Sequence, residues 1–211
     1  MIRVVDYGVC NLGSILNMCR RLGIPAAPAT TAADIDGAER LILPGVGAFD
    51  SGARNLEERG LVDALTRAAV VRRVPILGIC LGMQLMARSS SEGKRPGLAW
   101  IDARVRHFTE LAGAAAVGLK FPHIGWNFIE RVRPHPVLEG LDEPPRFYFV
   151  HSYCVDCSEA ERLAASRHGP IVFTAMLARG NLVGAQFHPE KSHRFGMRLI
   201  RNFAEWRPEG P

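Results

Sequence analysis

Between Pro75 and Ala87 the chain reads PILGICLGMQLMA. An apolar run of strand character enters a tight Gly78-Ile79-Cys80-Leu81-Gly82 corner and leaves it as a helix-like segment. A strand that passes straight into a helix pairs with a later strand through a crossover, which makes a parallel sheet. The same alternation fills the first half of the chain. Ile2 to Val5 reads as a buried strand, and Leu12, Ile15, Leu16, Cys19 and Leu22 then recur at helical spacing. Asn11 is a candidate N-cap for that helix, and Gly23 followed by Pro25 a candidate stop. RLIL, residues 40–43, is the next strand. Helical stretches around Phe49 to Arg59 and Leu61 to Val71 lead on to PILGI. The expected fold is α/β, an open and mostly parallel sheet with helices on both faces.

The second half changes character. LAWIDARVRHF, NFIERVR, RFYFVHSYCV, RLAAS, IVFTAMLA and NLVGAQFH are β-rich runs with few helices between them. They predict a mixed or antiparallel extension of the parallel sheet. Residues 111–122, small and glycine-rich, form the most flexible-looking stretch. SHRFGMRLIRNFAEW returns to helical spacing through Phe195, Leu199 and Phe203, with Ser192 a candidate cap. No repeat or linker divides the chain. Its 211 residues, 47% hydrophobic and 22% charged, suit one domain spanning 1–211.

The net charge of +5 is scattered, Arg72-Arg73 being the densest run, so no nucleic-acid surface is expected. No apolar run approaches the roughly 18 residues of a membrane span, and MIRVVDYGVC reads as a strand, not as a signal peptide. Five cysteines without regular spacing point to free thiols in a reducing cytoplasm.

In open α/β sheets ligands bind beyond the carboxyl ends of the strands, and three motifs fall at such ends. A Gly-x-Cys-x-Gly corner presents a nucleophile at a strand-to-helix turn, where the helix start favours a thiolate and the N–H of Leu81 faces a developing oxyanion. The plain alternative is that Cys80 is a small core residue. In QFHPEKS, His188 and Glu190 stand two apart, so on an extended segment they share a face. The carboxylate would then orient the imidazole while its other nitrogen meets a thiol. Solvated polar residues at a strand end are the alternative there. LPGVGAF, residues 43–49, has glycines that let the Val46–Gly47 turn aim an N–H into the cleft, or it is an ordinary turn.

LPGVGAF, GICLGMQL and GAQFHPEKS, in that order, closely resemble the class I (triad-type) glutamine amidotransferases. DYGVCNLGS, FPHIGWN and FYFVHSY are further similar to the glutaminase subunits of imidazole glycerol phosphate synthases, and the likeness runs from Val5 to Phe203. The resemblance implies a flavodoxin-like fold and hydrolysis of glutamine to glutamate and ammonia, with no metal or cofactor. By it, Cys80 matches the nucleophile, His188 the general base and acid, and Glu190 the orienter. The oxyanion hole would use backbone N–H groups of Leu81 and of the Val46–Gly47 turn. Gly47, Gln84, Glu92 (ammonium), and the backbone of Ser152 and Tyr153 (carboxylate) would hold the substrate. Asn11 and the loop with His123, Trp126 and Asn127 would lie near the face that meets a (β/α)8 cyclase, the partner that uses the ammonia.

Other readings stay beside these. Asn11 serves equally as a cap, and Glu92 as a solvated loop acid. Cys154-Val155-Asp156-Cys157 has metal-site spacing but no second pair, and its cysteines would face opposite sides of a strand. Cys10 and Cys19 look like small helix-face residues, and His151 like a structural histidine. The wording of SHRFGMRLIRNF and HSYCVDC is less usual for the histidine-pathway branch. It keeps open a paralogous glutaminase serving another synthetase, such as one amidating surface-polysaccharide sugars. A non-catalytic subunit and a peptidase-like thiol hydrolase are the readings from other classes.

Overall fold

The computed structural model describes residues 1–116, 118–141 and 144–208. Its strands are β1 (Ile2–Val5), β2 (Ala26–Ala29), β3 (Arg40–Leu43), β4 (Ile76–Ile79), β5 (Ser89–Ser90), β6 (Arg104–His107), β7 (His123–Phe128), β8 (Glu130–Arg131), β9 (Arg146–His151), β10 (Tyr153–Asp156), β11 (Arg162–His168), β12 (Ile171–Arg179) and β13 (Leu182–Ala185). The α-helices are α1 (Leu12–Arg21), α2 (Ala32–Asp36), α3 (Phe49–Glu58), α4 (Val62–Thr66), α5 (Leu81–Leu85), α6 (Phe108–Ala112) and α7 (His193–Glu205).

The main sheet runs β2-β1-β3-β4-β13-β12-β11-β8. Its first five strands are parallel and the last three antiparallel, so the expected extension grows from one edge of the parallel half. Two small sheets, β10-β6-β5 and β7-β9, complete the β-rich part. The central strands β4 and β13 are buried along their whole length, which is why they read as continuous apolar runs. One core packs Ile15 and Cys19 of α1 and Leu199 and Phe203 of α7 on one face of the sheet. The other packs Ile35, Leu56 and Leu65 on the opposite face.

Several expectations are corrected. β2 and α2 carry no signal in the apolar pattern, because β2 is Ala-Ala-Pro-Ala; as an edge strand it tolerates Pro28. Within LAWIDARVRHF only Arg104–His107 is strand. Part of 111–122 is ordered as the end of α6 and a 3-10 turn over Gly113–Ala116, while Val117 lies outside the described residues. Cys10 is not on a helix but in the bend before α1, its thiol near the Val5 carbonyl and Asp6. Asn11 and Ser192 occupy the N-cap positions of α1 and α7, yet neither side chain caps its helix. Cys154 and Cys157 are buried in opposite cores, as their spacing implies.

Candidate active site

The carboxyl end of β4 delivers Cys80 with φ +52° and ψ −109°. A non-glycine residue held there stores of order 1–3 kcal/mol of strain, sustained only when its surroundings over-determine it. They do so here. Cys80 N–H donates to the Ala185 carbonyl at 2.7 Å, tying the corner to β13. A Cβ on Gly82 would overlap the Leu43 carbonyl oxygen, and one on Gly78 would approach Met83 N to 2.8 Å. The two glycines flanking Cys80 therefore let β3, β4 and α5 close around it. Cys80 is 7% exposed, and α5 begins at Leu81 with its first N–H groups free of intrahelical partners.

Next to β4, the end of β13 continues as Gln186, Phe187 and His188. His188 Nδ1 lies 2.8 Å from Glu190 Oε1, with their side chains 1% and 3% exposed. The contact forms although the segment is not extended throughout: Pro189 opens a 3-10 turn that folds Glu190 back under the imidazole. Ser192, instead of capping α7, donates to the His188 carbonyl at 2.6 Å and accepts from Tyr148 N–H at 3.0 Å. The histidine strand is thereby clamped to β9. His188 Nε2 is buried without a hydrogen-bond partner and faces the same cleft as Cys80. Burial alone would push the His188 pKa down, but the negative charges of Glu190 and of Cys80 as a thiolate outweigh it and raise the pKa to about 9.

The third motif departs from expectation. Pro44 and Gly45 are buried, and the Tyr7 hydroxyl donates to the Pro44 carbonyl at 2.7 Å. Beyond them the turn is exposed, with Val46 at 44% and Gly47 at φ +108°. Val46 N–H donates to the Val9 carbonyl at 2.8 Å, so this donor is engaged with the β1–α1 loop and not offered to the cleft.

A cavity of 230 Å³ is bounded by Cys80 and His188 on one side and Val46 and Gly47 on another. Gln84, Glu92, Ser152 and Tyr153 also line it. Gln84 is buried and donates to the Tyr153 carbonyl at 3.0 Å. Glu92 is no free loop acid: its Oε2 accepts from Phe49 N–H, the first residue of α3, at 2.8 Å. Asp50, one residue further, accepts from the N–H groups of Lys94 and Arg95 in return. A larger groove of 440 Å³ between α3, α4 and residues 95–98 is lined by no cysteine, serine or histidine, unlike the smaller cavity.

The predicted interface residues separate. On β7, Ile124, Trp126 and Phe128 face outwards, and Trp126 stacks on His193 with ring centroids 5.3 Å apart. His123 and Asn127 lie on the inward side of the strand; His123 is buried against His151, so it offers no surface to a partner. His151 is fully engaged, through the Tyr153 carbonyl and His123, as a structural histidine would be. Asn11 is exposed. Sequence reasoning missed Gln186 and Val9 and read Ser192 only as a cap; their parts are played by hydrogen bonds that no spacing encodes. Among the described residues no cluster suited to a metal ion occurs.

The chain is similar to known proteins along nearly its whole length. The family model for glutamine amidotransferase class-I matches residues 3–206. Imidazole glycerol phosphate synthase subunit HisH 2 of Pseudomonas aeruginosa is 47% identical over 97% of this chain and 99% of its own length. Subunit HisH of Bdellovibrio bacteriovorus is 44% identical over 97% of this chain and 100% of its own. A crystal structure of a glutamine amidotransferase superposes with a TM-score of 0.74 at 22% identity, covering 97% and 98% of the two chains, which speaks for the fold alone. With a family match over residues 3–206 and relatives of 44% identity and more along nearly its whole length, the chain belongs to the class-I glutamine amidotransferases.

Proposed function

We propose that this chain is the glutaminase subunit of an imidazole glycerol phosphate synthase, acting as one domain in the cytoplasm beside a (β/α)8 cyclase. The observation that carries the chemistry is the buried Cys80 and His188 in the cavity wall, with Glu190 paired to the Nδ1 of His188. The relatives named above support the pathway. No described helix is long and apolar enough to cross a membrane.

In this reading the Cys80 thiolate attacks the side-chain amide carbon of glutamine, and the carbonyl electrons move to oxygen. Leu81 N–H and the Val46–Gly47 turn receive that oxyanion. As the tetrahedral adduct collapses, protonated His188 gives its proton to the leaving nitrogen, so ammonia and a thioester result. His188 then takes a proton from water, hydroxide adds to the thioester, and glutamate leaves with the thiolate restored. Glu190 holds the Nδ1–H tautomer and stabilises the imidazolium. Glu92 suits the substrate ammonium, and the backbone of Ser152 and Tyr153 its carboxylate.

An amide is a poor electrophile, and one missing oxyanion donor costs about 10²–10³ in rate. Because Val46 N–H is held by the Val9 carbonyl, the isolated chain is expected to be slow. A partner docking beside Asn11 and Trp126 would loosen the Val9 loop and free that donor. The test is ammonia release with and without the cyclase and its ribonucleotide substrate. Equal rates would remove the gating. A peptide cleaved faster than glutamine would replace glutaminase by a thiol hydrolase.

A second acceptor is favoured by one observation. The relative from Pseudomonas aeruginosa bears the number 2 in its name. A paralogue would feed ammonia to a different synthetase, and restoration of a histidine auxotroph lacking its own glutaminase subunit separates the two.

A further inference from the structure

Cys80 has a polar neighbour besides His188. Gln186, fully buried, brings its side-chain Nε2 to 3.8 Å from Cys80 Sγ, the long distance usual for a bond to sulfur. The sense of this contact is set at its far end. The Tyr153 carbonyl can only accept, and it takes an N–H from His151 Nδ1 at 2.9 Å and one from Gln84 Nε2 at 3.0 Å. That fixes which atom of Gln84 is nitrogen. Its second proton goes to Gln186 Oε1 at 3.2 Å, which leaves the Gln186 NH2 towards the sulfur.

We propose that Gln186 is a further catalytic residue, whose amide N–H donates to Cys80 Sγ and favours the thiolate over the thiol. A donor aimed at an ionisable atom stabilises its charged, accepting form. The proposal rests on Cys80 being the nucleophile.

The same network continues inward from β7. Since His151 donates through Nδ1, its Nε2 accepts, and His123 Nδ1 supplies the proton at 3.2 Å. Asn127 Nδ2 then donates to His123 Nε2 at 3.2 Å and to the Arg167 carbonyl at 2.6 Å. Burial pushes His123 down to about 4 and His151 to about 3, so both rings are neutral at pH 7, as one donor and one acceptor each require. His123, buried, and the half-buried Asn127 thus hold the carbonyl that aligns the Gln84–Gln186 pair.

The titratable groups around Cys80 are His188, backed by Glu190, Tyr7 from the end of β1, and Glu92, His151 and Tyr153 in the cavity wall. The test is the pH dependence of iodoacetamide alkylation at Cys80 in the full chain, followed by mass spectrometry of the Cys80 peptide. Gln186→Met keeps the shape and removes the donor. It is expected to move the alkylation midpoint up by about one pH unit, equal to about tenfold less thiolate below the midpoint. Ammonia release from glutamine would fall in step. Gln186→Glu can still accept from Gln84 but brings a carboxylate to the sulfur, and is expected to move the midpoint further up. Should Gln186→Met fail to fold, Gln186→Glu alone decides. A midpoint unchanged from wild type in a folded variant overturns the proposal. If Cys80 in the wild type reacts no faster than Cys10 or Cys19, the nucleophile assignment itself fails, which is a separate result.

Discussion

β3 and β4 lie side by side, and each ends at the same sheet edge in a glycine-framed turn, yet the two turns are built oppositely. After β4, Cys80 is buried and strained, and is locked to β13 by its own N–H. After β3, only Pro44 and Gly45 are buried; Val46 stands out in solvent with its N–H turned to Val9. In the proposed reading, the nucleophile is therefore finished when the chain folds and the second oxyanion donor is not. A rigid turn next to an adjustable one would then keep the reactive group ready while withholding the reaction.

Each side of that contrast can be broken. Cys80→Ala should have the largest effect, ammonia release falling about 10⁴-fold or more, since in nucleophile–base sets loss of the nucleophile removes the whole unit. Circular dichroism and thermal melting should stay close to wild type. Retained turnover would sink the assignment.

Glu190→Gln should cost less, about 10²–10⁴ in the activated complex, because an amide still bonds His188 but does not stabilise imidazolium. A loss below about tenfold would make Glu190 a bystander, given what orienting acids are worth in such triads. The pH profile adds a sign. His188 is raised to about 9, so its charged form persists through pH 8 and the proton for leaving ammonia is lost as pH rises through about 9. Its contribution to stability is fully present below the unfolded value near 6.5 and disappears over the same rise. Removing the Glu190 charge should bring the alkaline fall in rate to lower pH; an unmoved fall would contradict the pairing.

On the adjustable side, Gly47→Ala puts a Cβ on a residue at φ +108°. The partner-stimulated rate should drop about ten- to a hundredfold, short of the full 10²–10³ of an oxyanion donor, because the turn is distorted and its N–H remains. Iodoacetamide should label Cys80 within about twofold of the wild-type rate, as expected when only the oxyanion side is touched. Slower labelling would mean that the two turns are coupled at rest. Trp126→Ala should be mildest: basal turnover unchanged, and stimulation by the cyclase reduced several-fold, in keeping with allosteric couplings of about 1–3 kcal/mol. Full stimulation would move the docking face away from β7.

The sequence is most readable where geometry is local. Gly78, Cys80 and Gly82 announce a corner because only glycine leaves room for the Leu43 carbonyl and Met83 backbone. Strands β4 and β13 announce themselves by unbroken apolar runs. β2 hides because Pro28 and three alanines carry no strand pattern, although Thr31 and Asp34 form a capping box that could have revealed α2. Ser192 looks like a cap and is a clamp, since its hydroxyl finds a carbonyl and an N–H brought close only by β9. The peptide orientation at Val46 is likewise invisible from spacing, being fixed by a residue 37 positions away in Val9.

Glu92 joins the cavity wall to the start of α3. One of its oxygens already receives Phe49 N–H, and Phe49 follows Gly47 by two residues. In the proposed reading, a glutamine ammonium drawn to this carboxylate competes for the atom that anchors the downstream end of the Val46–Gly47 turn. A partner at the Val9 loop acts on the upstream end. The short span between them then behaves as a coincidence detector, answering fully only when nitrogen donor and ammonia consumer are present together.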